Sequence, residues 1–395
     1  MIQLELKDVT IHPISSHCSE ILFLYNGELF RAPYPDKLNT YNDLISNDVP
    51  LQTISRTGMV LKHPQYNQPL IVFKHKLYNH LVKIQESPPI KVIEFIKAIC
   101  EINILLISKG YILCDMHEGN IYDTIDGIKW VDWGSIYLLN GEDGKLNAAA
   151  AGLALTLYLT NKYLYKQYNG DHTTYDILIA ANTQSPIQKI AMLDPKNINT
   201  WKELSNIVNQ AHPAEATISH WADEYATDIS ANNIEASNAK GKAVIGMINK
   251  LTYDTITDVG CNKGYYTQYA ARKAKSALGM DYDEKCICIA SKNAPKDIPI
   301  LFAKKDVKEL VTQEQLMRSS SDLVLALAVV HHVGKQMPHE KFADILANLA
   351  KKHIIIEDIE TAPIYQKIFE AKGFSLVERK ESFPSYRTIS LYSKR

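Results

Sequence analysis

Six cysteines are spread over 395 residues (Cys18, Cys100, Cys114, Cys261, Cys286 and Cys288); they form no Cys-x-x-Cys pair and lie mostly in apolar segments. That pattern speaks against a disulfide framework and fits reduced thiols packed as small core residues. Charge of one sign is missing too: 43 Lys+Arg stand against 44 Asp+Glu, a formal net charge of -1. Without a basic excess, neither a nucleic acid nor an anionic membrane surface is the expected partner. No apolar run reaches the roughly 20 residues of a membrane span, and the start, "MIQLELKDVTIHP", has neither the basic start nor the apolar core of a signal peptide. The expected location is the cytoplasm, and the oligomeric state stays open. At 46% hydrophobic residues the chain is globular and long enough for two domains of roughly 100–200 residues each.

The sequence before residue 150 and that after 240 differ in kind. From Glu20, "EILFLYNGELFRAPY" reads as two strands turning at Asn26-Gly27, a short-range hairpin signal because both turn positions accept positive φ. "GMVLKH" and "PLIVFKHK" are further strand candidates. In "PPIKVIEFIKAICEINILLISKG" the spacing of Val92, Ile93, Ile96, Ile99, Cys100, Asn103 and Leu106 predicts one buried helix face, ending near Gly110. Helices are also expected in "NAAAAGLALTLYLTNKYLYKQY" and "WKELSNIVNQAH", and the turn-rich "AHPAEATISH" puts a boundary near residue 212. The domains expected are therefore 1–212 and 213–395.

The stretch "YILCDMHEGNIYDTIDGIKWVDWGS" places Asp115 and Asn120 five apart, with Asp132 after a short hairpin. It resembles the catalytic and metal-binding loops of aminoglycoside-phosphotransferase-like and lipopolysaccharide-kinase-like proteins. That resemblance implies an α+β kinase-like domain, with Asp115 as the base for a hydroxyl acceptor and Asn120 and Asp132 as Mg²⁺ ligands against ATP. Two parts of that machinery are absent. No glycine-rich loop precedes the first hairpin, and Arg31 stands where the phosphate-binding lysine is expected, with no Glu in "DKLNTYNDLISND" to pair with it. Phosphoryl transfer rests on positioned charge, so a degenerate, binding-only domain is the expectation; Lys62 and Lys74 are substitutes for the missing lysine or plain strand-end lysines.

The later region opens with "DVGCNKGYYTQYAARKAKSALGMDYD", Asp258 to Asp283. A glycine loop alone is weak; its context is alternation. Strands are predicted at 255–260, 276–281, 298–303, 322–328, 353–357, 374–380 and 388–393. The helices are expected from Tyr265, at 284–294, 339–352 and 362–372. Such alternation specifies a doubly wound parallel sheet, and the last two strands, joined only by a turn, make the final one antiparallel.

A seven-stranded sheet with one reversed strand resembles the class I S-adenosylmethionine (SAM)-dependent methyltransferases, which share a Rossmann-like fold. The resemblance implies that Asp258, Gly260, Asn262 and Gly264 approach the aminoacyl end of SAM, that Asp281 takes the ribose hydroxyls, and that Asp306 meets the adenine amino group. "SDLVLALAVVHHV" matches the fourth-strand motif facing methyl donor and acceptor. Over nearly the whole chain, "ELFRAPY", "GYILCDMHEGNI", "WVDWGS", "HWADEYA", "DLVLALAVVHHV" and "IIIED" occur in the order found in bacterial nodulation-type methyltransferases, which join a degenerate kinase-like region to a methyltransferase.

His331 and His332 are each a candidate base for an oxygen acceptor, since an imidazole of pKa about 6.5 accepts a proton at neutral pH, or a packing residue beneath the cofactor. A metal cluster of His331, His332, His339 and Glu357 matches no defensible ligand spacing. Trp221 and Tyr225 are a lid or ordinary core aromatics. With no (N/D)PP(Y/F) signature of amino-methylating enzymes, O-methylation of a small molecule or glycan is the first expectation. The alternatives are a bifunctional kinase-methyltransferase using Mg/ATP and a non-catalytic SAM- or partner-binding pseudoenzyme.

Overall fold

A computed structural model describes residues 2–12, 20–45, 51, 53–114, 116, 118–140, 194–210, 219, 222, 239–358, 362–382 and 387–394. The chain divides into two compact units, one of residues 1–78 and 89–214, the other of 79–88 and 215–395. Asp115, Trp221, Tyr225 and the expected helix within 147–168 lie outside the described residues.

In the first unit, β1 (Ile2–Glu5), β2 (Thr10–Ile11), β3 (Glu20–Tyr25), β4 (Glu28–Pro33), β5 (Ile54–Lys62) and β6 (Leu70–His75) form one sheet in the order β1-β5-β6-β4-β3-β2. The β3–β4 turn has Asn26 and Gly27 at φ 50 and 76, the pair of left-handed residues that matches the strands' twist. Leu4, Phe23, Phe30, Leu61 and Val72 pack one face of this sheet. Helix α1 (Leu38–Leu44) follows β4. Helix α2 (Pro89–Ser108) begins at a proline whose missing N–H costs nothing at the first helical position, and Gly110 at φ 80 follows its end. Strands β7 (Tyr111–Leu113) and β10 (Ile136–Leu138) pair antiparallel, as do β8 (Ile121–Thr124) and β9 (Gly127–Trp130). Helix α3 (Ile198–Gln210) buries Trp201, Leu204 and Val208.

The second unit is an α/β structure built on one seven-stranded sheet. After α4 (Ala239–Lys250) come β11 (Thr255–Val259), α5 (Tyr265–Ala271), β12 (Ser276–Asp281), α6 (Glu284–Asn293), β13 (Ile300–Lys304), α7 (Gln313–Ser319), β14 (Ser321–Ala326), α8 (Val330–Val333), α9 (His339–Leu349), β15 (Ala350–Asp358), α10 (Ala362–Ala371), β16 (Phe374–Glu381) and β17 (Thr388–Lys394). The sheet order is β13-β12-β11-β14-β15-β17-β16. The first five strands are mutually parallel; β17 inserts between β15 and β16, antiparallel to both. Order reverses at β11, so the carboxyl ends of β11 and β14 mark the topological switch point at which α/β sheets bind ligands.

Among the boundaries that differ from the sequence reading, two have a clear physical reason. The helix predicted at 339–352 stops at Leu349, because Ala350 pairs with Ser321 and the ladder claims the "AKK" that follows. The strand predicted at 322–328 ends at Ala326, and Ala328 turns the chain at φ 57.

Residues 79–88 form a strap along the amino-terminal edge of the second unit's sheet. The buried His80 ring lies between the hydroxyls of Ser276 (2.7 Å) and Ser321 (2.8 Å), which begin β12 and β14. Glu86 takes both terminal nitrogens of Arg318 at 3.0 Å and pairs with Lys305 at 3.0 Å. Among the described residues, no helix is long and apolar enough to cross a membrane.

Candidate functional site

The carboxyl edge of β11 is built by three left-handed residues in five positions: Gly260, Asn262 and Gly264, at φ 71, 52 and 78. Glycine is needed at the outer two for space as well as for φ. A Cβ on Gly260 would stand 2.9 Å from the Val329 side chain, and one on Gly264 2.5 Å from the Phe302 ring. Asn262 is the side chain type that best tolerates this conformation. Its amide donates to Asp281 Oδ2 at 2.8 Å, and its own Oδ1 accepts from the Lys263 amide at 2.7 Å. Asp281 Oδ1 accepts the Asp283 amide at 3.0 Å. The ends of β11 and β12 are thus tied through one acid. Burial raises the Asp281 pKa, opposed by these backbone donors.

Asp258 is buried beneath that loop and accepts from Thr267 Oγ1 at 2.6 Å. Burial pushes it up to about 7, with Asp281 adding to the rise while Thr267 and Lys240 oppose it. Asp306 caps the turn Val307–Glu309 by accepting the Lys308 amide at 3.0 Å, and pairs with the Lys308 ammonium at 2.9 Å. The exposed Tyr282 stands next to Asp281.

His331 and His332 lie on α8, beyond β14, with ring centroids 3.9 Å apart. Burial pushes His331 down to about 4, helped by His332 and Arg387 and opposed by Glu357. The ring is therefore neutral at pH 7. His339 is turned elsewhere: its Nδ1 meets the Tyr365 hydroxyl at 2.9 Å and its ring fills the space a Cβ on Gly334 would need. No metal-binding group of three His, Cys, Asp or Glu exists among the described residues.

Four residues that sequence reasoning did not bring together meet at the end of β15. The Glu357 carboxylate, with 1% of its side chain exposed, is paired with Lys240 of α4, accepts from Ser382 Oγ at 3.0 Å and stands 3.8 Å from Arg387 NH1. They come from positions 240, 357, 382 and 387, and no local motif links them.

In the first unit, Asn120 Nδ2 donates to Asp132 Oδ2 at 3.3 Å, and Asp132 Oδ1 accepts the Gly134 amide at 3.0 Å. Arg31 is buried beside them. It donates to the Val131 carbonyl (3.1 Å), Tyr41 (3.1 Å), Glu20 (3.3 Å) and His75. The carboxylate that pairs with Arg31, in place of a Glu within 36–48, is thus Glu20, on the neighbouring strand. Lys74 pairs with Glu28, Lys62 is exposed, and Lys37 is turned to the carbonyls of Ile136 (2.6 Å) and Gly134 (3.2 Å).

Residues 257–355 match the family model described as "Methyltransferase domain". No curated protein matches the chain significantly. Solved structures similar to it include the magnesium protoporphyrin IX methyltransferase ChlM of Synechocystis PCC 6803 with bound SAM (19% identity, 39% of this chain and 77% of that one, TM-score 0.33). The N-methyltransferase NodS of Bradyrhizobium japonicum WM9 is another (13%, 40% and 90%, 0.33), as is WbdD, solved with a kinase inhibitor (15%, 44% and 46%, 0.34). At such scores these likenesses assign no residue a role. The matched family model and the sheet order agree: the second unit carries a methyltransferase domain, with the Rossmann-like seven-stranded mixed sheet of the class I SAM-dependent enzymes.

Proposed function

We propose that the chain is a SAM-dependent methyltransferase acting on an oxygen of a small molecule or glycan, and that its first unit is a kinase-like region of the nodulation-type methyltransferases that binds substrate or partner without transferring phosphate. The observation that carries the first part is the tie between Asn262 and Asp281 at the carboxyl ends of β11 and β12, inside a domain that matches a methyltransferase family. In this reading the loop at 260–264 faces the aminoacyl end of the cofactor, and Asp281, a buried acid at a strand end, is suited to ribose hydroxyls. The sulfonium of SAM supplies an electrophilic methyl group. What the protein adds is alignment of acceptor and methyl, worth many orders of magnitude by itself.

Two features favour a binding role for the first unit. Arg31 is committed to Glu20, Tyr41 and Val131, and Lys37 to two carbonyls, so neither cation is held ready for phosphates. Calorimetric titration with SAM and with S-adenosylhomocysteine, followed by transfer of labelled methyl to a metabolite extract, tests the reading. Asp281→Ala should weaken cofactor binding at least tenfold, since hydrogen bonds to a charged group are worth about 1.5–3 kcal/mol each. Unchanged affinity would move the site elsewhere; binding without transfer to any acceptor would favour the pseudoenzyme.

A further inference from the structure

The sequence points to His331 or His332 as a base for a hydroxyl acceptor, but the surroundings of His331 work against that role. Burial is the largest of the influences that disfavour its protonation; His332, Arg387 and Lys335 act in the same sense, and Glu357 opposes them. A ring whose hold on a proton is lowered in this way is a weaker base toward a hydroxyl than a free imidazole. An acceptor that reaches the site already ionised needs no base.

The chain supplies what such an acceptor requires. At the carboxyl edge of β15, Glu357 holds Lys240 on one oxygen and Ser382 on the other, with Arg387 NH1 at 3.8 Å. Both cations keep about a fifth of their side chains exposed, 18% for Lys240 and 20% for Arg387, while Glu357 keeps 1%. The anchoring carboxylate is therefore buried and the cations form the rim. Lys240 also lies 5.9 Å from the centre of the Tyr266 ring, on the helix that follows the glycine loop. Lys240 thus lies beside the first turn of the helix that follows the glycine loop. Burying a carboxylate with two cations costs solvation that apolar packing would not, and a rim of pre-oriented donors is a return on that cost.

We infer that Lys240 and Arg387 form the acceptor subsite, that Glu357 is the positioning residue for both, and that the acceptor is an anion at neutral pH whose oxygen is the nucleophile. This rests on the methyltransferase reading above. In the step itself an oxygen lone pair forms the new C–O bond while the S–C bond breaks and its electron pair goes to sulfur. Anion and sulfonium become a neutral methyl ester or ether and a thioether, and no proton is removed.

The test uses the full chain saturated with S-adenosylhomocysteine, titrated with acetate and with inorganic phosphate at constant ionic strength. At least one probe should bind in the millimolar range, and Arg387→Gln and Lys240→Gln should each weaken it at least fivefold with cofactor affinity kept within twofold. With labelled SAM, the acceptors should come from the anion-exchange-retained fraction of an extract, and turnover should be flat from pH 6 to 9. Alkaline release of labelled methanol identifies a carboxylate acceptor, and a stable label an ether of a phenol acidic enough to be ionised already at pH 6. Failure of both probes to bind, equal binding in both variants, or labelling only of acceptors that pass the anion exchanger would overturn the subsite. Absence of cofactor binding would instead sink the methyltransferase reading, and the subsite with it.

Discussion

The His80 ring is fully buried at the amino-terminal edge of the second unit's sheet, and burial, with the charge of Lys351 acting in the same sense, pushes it down to about 3. The unfolded chain takes a proton on this ring at about 6.5; the folded chain does not. The stability that neutral His80 contributes is thus fully present above pH 6.5 and is lost as pH falls from there toward 3. Each pKa unit is worth 1.36 kcal/mol, so going from pH 7 to pH 5 should cost about 2 kcal/mol through this one residue. At pH 5 the cost depends only on the unfolded value, because the folded pKa lies well below. His80→Gln keeps donor and acceptor capacity toward Ser276 and Ser321 but cannot titrate. Urea unfolding at both pH values, followed by hydrogen exchange of amides in β11, β12 and β14, reads this unit separately. The stability difference between parent and variant should shrink by about 2 kcal/mol at pH 5. A difference constant to within about 0.5 kcal/mol would refute a neutral, enclosed imidazole.

Glu86→Ala would leave Lys305 and Arg318, with 2% and 8% of their side chains exposed, without their shared carboxylate, and should cost about 3–5 kcal/mol in the same unfolding assay at pH 7. The Glu86 pKa is held down to about 2, with burial opposing and Arg318 and Lys305 prevailing, so this contribution should fade as pH falls through that value; a loss under 1 kcal/mol would mean that the pair is solvent-screened. For Asp258 the sign is reversed. Its folded pKa is raised to about 7, so stability present below about 3.8 is lost as pH rises toward 7, and Asp258→Asn should gain on the parent by about 1 kcal/mol per unit between pH 5 and 7. A flat difference would show that Asp258 is ionised throughout. In the first unit, calorimetry should detect no Mg²⁺-dependent ATP binding at micromolar concentrations; such binding, abolished by Asp132→Ala, would restore the bifunctional kinase-methyltransferase.

The period and punctuation of the sequence determined the second unit's sheet. Apolar strand runs alternate with helical segments, glycines mark positive φ, and two closing strands share only a turn, so the parallel directions and the one reversed strand follow from local chemistry and chirality, while the insertion of β17 between β15 and β16 is a matter of pairing. The Asn26-Gly27 hairpin and the helix ending at Gly110 were legible for the same reason. Register was less so: Ala350 joins β15 because Ser321 lies beside it, a fact of pairing that no window around 350 contains. The strap depends on contacts across 196 and 241 positions between His80 and its serines, and residues 79–88 carry no motif that announces them. Arg31 found its acid on the adjacent strand rather than on the following helix, because cross-strand neighbours sit closer than chain neighbours. The charge state of His331 and the gathering of Lys240, Glu357, Ser382 and Arg387 were decided by tertiary structure alone: burial and the sum of surrounding charges belong to the folded arrangement and to no segment of it.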